Sequence, residues 1–172
     1  MICWDRRGED VVGYFDEFEV EVLRGYAECL LRLLDHRVAT YTSVGDSLIP
    51  SATTTDPRLA ALLRAELGPD EPDWALACLE AGCFARVAIR VLEHLDTLPP
   101  SGGLVRLSSE SLPRWLSVIH LYVVVIVAMT DYEGCVVGIP VGPTIEWLID
   151  ISSGLESLGA VDFTQSPNRT AW

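Results

Sequence analysis

Cysteine, histidine and paired carboxylates are the residues here whose types could carry chemistry, and their spacing decides how far each goes. Five cysteines stand at Cys3, Cys29, Cys78, Cys83 and Cys135. Cys78 and Cys83 are the best redox pair by sequence distance. Five residues along one helix amount to about 140° of rotation and about 7.5 Å of rise. A disulfide rarely spans more than about 7 Å between Cα atoms, so a bridge there needs the helix to break at Gly82. Cys29 bridging to either one across packed helices is the other redox arrangement. The plainer reading makes all three buried, apolar thiols.

The histidines, His36, His94 and His120, lie far apart in the chain. A metal centre needs several ligands converging at suitable spacing, and no short motif supplies them, so no metal is expected. His36 and His94 fall near predicted helix ends beside Asp35, Glu93 and Asp96. A charged surface His suits that position, where it meets the negative end of the helix dipole. There is no G-x-S-x-G run, no phosphate-cradling glycine loop and no dinucleotide fingerprint. The acidic pairs Asp131 with Glu133 and Glu17 with Glu21 read as solvated faces. The expectation is a protein that binds a partner rather than an enzyme, with no cofactor.

Composition narrows the partner. The chain has 172 residues, 49% hydrophobic and 22% charged, and a formal net charge of −13. That length suits one domain with a core of its own. All basic residues are Arg, and Arg6 with Arg7 or Arg86 with Arg90 are the nearest approaches to a basic patch. Such a charge repels phosphate backbones, so direct nucleic-acid binding is not expected. The N-terminal residues contain no apolar signal run, and an odd cysteine count without repeated spacing suggests reduced thiols, hence a cytoplasmic protein. The most apolar stretch, Trp115 to Met129, is 15 residues long. A membrane span needs about 20 residues, so a core helix is expected there.

The elements that would position these residues are mostly helical. Ile2–Asp5 and Val11–Phe15 flank a turn-like Arg7–Asp10 and predict a short hairpin. Asp16 with Glu19 predicts a capping box opening a helix to about Arg37. Its stripe is Phe15, Phe18, Val22, Tyr26, Leu30, Leu33 and Leu34. Residues 39–55 read as a loop. Asp56-Pro57 opens a second helix, ended by Gly68-Pro69, and Pro72-Asp73 a third. The third helix shows the stripe Ala77, Ala81, Phe84, Ala88, Val91, Leu92 and Leu95, with Gly82 among them. Gly costs a helix interior up to about 1 kcal/mol relative to Ala, so close approach of a neighbouring helix is the expected reason. Leu104–Leu107 predicts a strand beside the hairpin. A fourth helix runs from Ser108 or Ser109 to about Thr130, and a fifth opens at Pro143 with Ile145, Leu148, Ile149, Ile151, Leu155 and Leu158 inward. The fold expected is mainly α: about five helices in a bundle-like single domain over residues 1–159, a small N-terminal β-hairpin or sheet, and a loosely ordered tail over 160–172.

Several pieces in order then carry a family resemblance. They are Trp4 with Arg6, the segment Asp16–Arg37, Asp56–Arg64, Leu95–Leu107, Trp115-Leu116 and Trp147-Leu148. In this order and spacing the chain resembles the actinomycete oxidative-stress regulator family (the AosR type, formerly a domain of unknown function), as a divergent member. The resemblance implies an α-rich cytoplasmic protein in redox-responsive control of transcription, working through transcription machinery such as a stress sigma factor. Where that family usually carries polar residues on the fourth helix, this chain has His120, Leu121, Val123, Val127 and Ala128. A helix apolar on every side in a five-helix domain suggests a self-association or partner interface there. Trp115, His120, Tyr122, Val123 and Val127, with Trp147 from the fifth helix, are its candidate residues. An enclosed small-molecule pocket around Trp115, His120 and Tyr122 is the alternative.

Overall fold

A computed structural model describes residues 4–44, 47–50, 52–130 and 141–159. The expectations for the 160–172 tail, and those on Ile2, Cys3, Asp131, Glu133 and Cys135, lie outside the described residues. The described elements run β1 (Trp4–Arg7), β2 (Asp10–Phe15), α1 (Glu17–Val38), β3 (Tyr41–Val44), β4 (Ser47–Pro50), α2 (Pro57–Leu67), α3 (Asp73–Thr97), β5 (Gly103–Leu107), α4 (Leu112–Thr130) and α5 (Val141–Gly159). The fold is mainly α, with five helices and a small antiparallel sheet, as the patterning predicted.

The sheet has the order β1-β2-β5, with both pairings antiparallel. Val11, Phe15, Val105 and Leu107 turn into the core, while Leu104 and Arg106 face out. Trp4 seals the sheet. Its ring lies so close over Gly13 and Gly154 that a Cβ at either glycine would fall within 3 Å of it. It also meets Phe15 and Trp115 edge-on, with centroids 5.5 and 5.6 Å away. The turn before β5 is equally tight. Gly102 has φ of +87°, and a Cβ there would come within 2.9 Å of the Glu17 backbone nitrogen at the start of α1.

The capping box of α1 is present as read. Glu19 N–H donates to Asp16 Oδ1 at 2.8 Å, and Asp16 N–H to Glu19 Oε2 at 2.9 Å. Asp56 caps α2 by accepting from Arg58 N–H at 2.9 Å. Residues 39–55 differ from the expected loop. β3 and β4 pair there as an antiparallel hairpin. Its anchor is tertiary: Tyr41 donates to Glu80 Oε1 at 2.8 Å, and Arg37 pairs with the same carboxylate at 2.6 Å. Glu80 is buried, which holds the Arg37 guanidinium above its ordinary range. Buried charge is tolerated when paired and hydrogen-bonded, and here it ties α1, α3 and the hairpin together.

α4 packs on α2, α3 and α5. It begins at Leu112, three or four residues after the expected Ser108 or Ser109 cap, and ends at Thr130 as read. Among the described residues, Leu112–Met129 is the one window long and apolar enough to cross a membrane, by length and composition only, with mean hydropathy 1.8 and 44% of it buried. Its buried side, Trp115, Leu116, Ile119, Tyr122 and Ile126, forms the centre of the core.

Candidate functional site: two spare apolar faces

The expected α1 stripe is met in part: Phe15, Leu30 and Leu34 are buried, and Tyr26 and Leu33 pack against the core. The full buried set of the helix is Val20, Leu23, Ala27, Leu30 and Leu34, whereas Phe18 is 68% exposed. The outer edge of the stripe, Phe18 and Val22 with parts of Tyr26 and Leu33, is therefore a second apolar face. It walls a groove of about 570 Å³ between α1 and α4, bounded at one end by Arg58 of α2. Val22, Leu33, Val125, Ile126 and Met129 line it, with Tyr26 and Tyr122 at ring centroids 6.0 Å apart. A smaller cavity of about 360 Å³, against Pro143, Thr144 and Trp147 of α5, shares Phe18 and Val22 with it.

On α3 the expected stripe holds for Phe84 and Val91, which are buried, and for Ala88 and Leu95, which pack against the core, but not for Leu92. The buried set of this helix is Ala75, Leu76, Glu80, Cys83, Phe84, Val87, Val91 and His94. Leu92, expected inward, is 51% exposed, Ile89 57% and Trp74 72%. Together with exposed Cys78, Gly82 and Ala85 they fall within about 80° of arc at 100° per residue. This is an apolar stripe along the outer side of a 25-residue helix. Gly82 faces outward in its middle, where a Cβ would meet only the end of Arg86, 3.7 Å away. Among the described residues, no neighbouring helix accounts for that glycine.

The predicted site residues separate. Trp115 and Tyr122 are buried, whereas His120 is half-exposed and 3.7 Å from Glu156 of α5. The three do not converge on one enclosed pocket, because His120 lies about 140° around α4 from Trp115 and about 160° from Tyr122. Val123 is partly buried and Val127 is 45% exposed. Trp147 is half-buried and donates from Nε1 to Glu19 at 3.3 Å. α3 is continuous through Gly82, so Cys78 is exposed while Cys83 is buried. Burial, with Glu66 nearby, pushes the Cys83 thiol up to about 12. Cys29 is exposed at the groove, and Cys29, Cys78 and Cys83 are all free thiols. Only Cys83 fits the reading of all three as buried thiols.

His94 also departs from expectation. His36 is exposed, as read, but His94 is 2% exposed, packed 4.7 Å from the Trp115 ring and 5.7 Å from Tyr122. Burial pushes its imidazole down to about 3, so it stays neutral. Neither ring nitrogen has a hydrogen-bond partner among the described residues. The spacing of Phe84, Val87, Val91 and His94 was the available signal. It was hidden because buried Glu80, on the same stripe, reads as a surface residue. Among the described residues, no group of three or more His, Cys, Asp or Glu is placed to hold a metal.

Residues 1–122 match the family model described as a domain of unknown function (DUF2017). No curated protein and no solved structure matches the chain. The match stops at Tyr122, midway along α4. It includes the α3 stripe and most of the α1 wall of the groove.

Proposed function

The chain belongs to the DUF2017 family, and from that premise we propose that it is a non-enzymatic, cytoplasmic protein-interaction module that regulates through a protein partner. The observation that carries this reading is the outer stripe of α3. Contiguous exposed apolar surface marks interaction sites, and this one has the shape a second helix needs. Trp74, Ile89 and Leu92 supply contact area, while Gly82 and Ala85 let a facing backbone come close. The occupant is a helix of a partner protein, laid along α3 through its apolar face. The resemblance to redox-responsive transcription regulators makes transcription machinery, such as a sigma factor, the first partner to try.

Cys78 gives the redox version a location. It lies exposed on the stripe, one turn from Gly82. Peroxide converting its thiol to the sulfenic acid, with release of water, would put a polar group on the apolar face. A Cys78–Cys83 bridge is not needed. Mass spectrometry of peroxide-treated protein should show oxidation at Cys78 and weakened partner binding, with Cys78→Ser resistant. All five thiols unmodified would remove the redox version and leave the docking claim standing.

Docking is tested by binding purified chain to the host's sigma factors, comparing wild type, Ile89→Asp and Gly82→Leu. Both substitutions are on exposed positions and should leave the fold intact. Loss of binding in both supports the stripe. Light scattering on the chain alone distinguishes a second copy as the occupant: a dimer dissolved by Ile89→Asp would replace the partner reading with self-association.

A further inference from the structure

The groove between α1 and α4 is a different surface, and its walls describe a ligand. It is long and narrow, following α1 from Phe18 to Arg32, about 21 Å at 1.5 Å per residue. Its walls mix aliphatic side chains (Val22, Leu30, Leu33, Val125, Ile126, Met129) with the rings of Phe18, Tyr26 and Tyr122, and its volume lies in the range of small-molecule sites. Gly25 sits exposed on the wall in the middle of α1, and a Cβ there would meet nothing within 4 Å. Packing among the described residues does not require this glycine, yet it costs the helix interior up to about 1 kcal/mol. What it provides is open space in the groove.

Polar groups gather toward one end. Arg32 and Arg58 both line the groove. Arg58 is paired with Asp56 at 2.6 Å. Arg32 has no carboxylate partner among the described residues; its guanidinium donates to Cys29 Sγ at 3.6 Å. Glu21 lies about three helical turns from Arg32, toward the Phe18 end, so charge is separated along the groove. Tyr122, nine-tenths buried, lines the groove as well, and its hydroxyl has no hydrogen-bond partner among the described residues. A guanidinium without a carboxylate at the end of an aliphatic channel matches an acid with an apolar tail.

We propose that this groove binds an aliphatic monocarboxylate, a fatty acid, with the carboxylate on Arg32 and the chain running toward Phe18. The tail replaces water along Val22, Leu33, Val125 and Met129. Gly25 gives it passage, and the smaller cavity beside Trp147 extends the channel for longer chains. The site is separate from the α3 stripe, so either can stand without the other.

The probe is dansyl-undecanoic acid, followed by its fluorescence on the full chain below its micelle concentration. Laurate and lauryl alcohol serve as competitors. The expected result is saturable one-to-one binding, with laurate displacing the probe about tenfold better than the alcohol, the margin of a charge-assisted hydrogen bond. Arg32→Ala should erase that preference without changing displacement by the alcohol. Gly25→Leu should abolish binding while helical circular dichroism and thermal midpoint are kept or improved. Gly82→Leu, on the other face, should bind as wild type. Absence of saturable binding overturns the proposal, as does undiminished binding in Gly25→Leu. Arg32→Ala retaining the acid preference would overturn the placement of the carboxylate.

Discussion

His94 and Glu80 show opposite ways of burying an ionisable group. His94 is enclosed by Trp115 and Tyr122 and stays neutral, with its pKa pushed from 6.5 to about 3 by burial. A His depressed in this way contributes stability that is complete above the unfolded value of 6.5 and is lost as pH falls toward 3. The unfolded chain takes up the proton over that window and the folded one does not. The loss is roughly 3–5 kcal/mol at 1.4 kcal/mol per pH unit. His94→Phe keeps an aromatic ring of similar size and removes the titration. Urea unfolding of the two proteins from pH 7 to pH 4 should therefore show a gap that grows in favour of the variant as pH drops; parallel curves would refute the assignment. Glu80 is instead paired, with Arg37 at 2.6 Å and accepting a hydrogen bond from Tyr41. Glu80→Ala leaves Arg37 without its partner and should cost about 3–5 kcal/mol in urea unfolding. Tyr41→Phe removes one hydrogen bond and should cost about 1–2 kcal/mol.

At the scale of elements, α1 and α3 each carry two apolar faces, one spent on the core and one left over. Each also has an outward glycine in its middle that no contact among the described residues explains. Gly82→Ala should raise stability by up to about 1 kcal/mol, a shift of roughly 2–4 °C in thermal midpoint for a chain of this size. Gly82→Leu should be at least neutral for folding yet harmful for partner binding. A purely structural glycine would instead destabilise on substitution, and Gly13→Ala is the comparison. There a Cβ would come within 2.5 Å of the Trp4 ring, so a clear loss of stability is expected.

Helix existence and caps were legible in the sequence because Asp16 with Glu19, and Asp56 with Pro57, are local signals. Which face of α1 or α3 turns inward was not, because periodicity cannot rank two apolar faces. Phe18 and Leu92 pattern as core for that reason, and His94, near a helix end beside Glu93 and Asp96, as surface. The β3–β4 hairpin escaped notice because Arg37, Tyr41 and Glu80 hold it from three separate segments. The groove's lining was visible as a stripe on α1, but its being open was not.

For the whole molecule, the sheet, α1, α2, α4 and the inner side of α3 form the scaffold. The pieces that carried the family resemblance largely belong to it: Trp4 over Gly13 and Gly154, the tight turn at Gly102, and Trp115 against Phe15. The proposed binding role rests on the pair of apolar surfaces that this scaffold leaves open among the described residues. The most direct test of the central claim is crosslinking in the native cell from a photoreactive residue placed at Ile89, with Glu28 on the exposed side of α1 as control. The account predicts one dominant crosslinked protein from Ile89, its attachment mapped by mass spectrometry to a helix, and no such product from Glu28. Equal products from both positions, or none from Ile89 beyond a second copy of this chain, would contradict it.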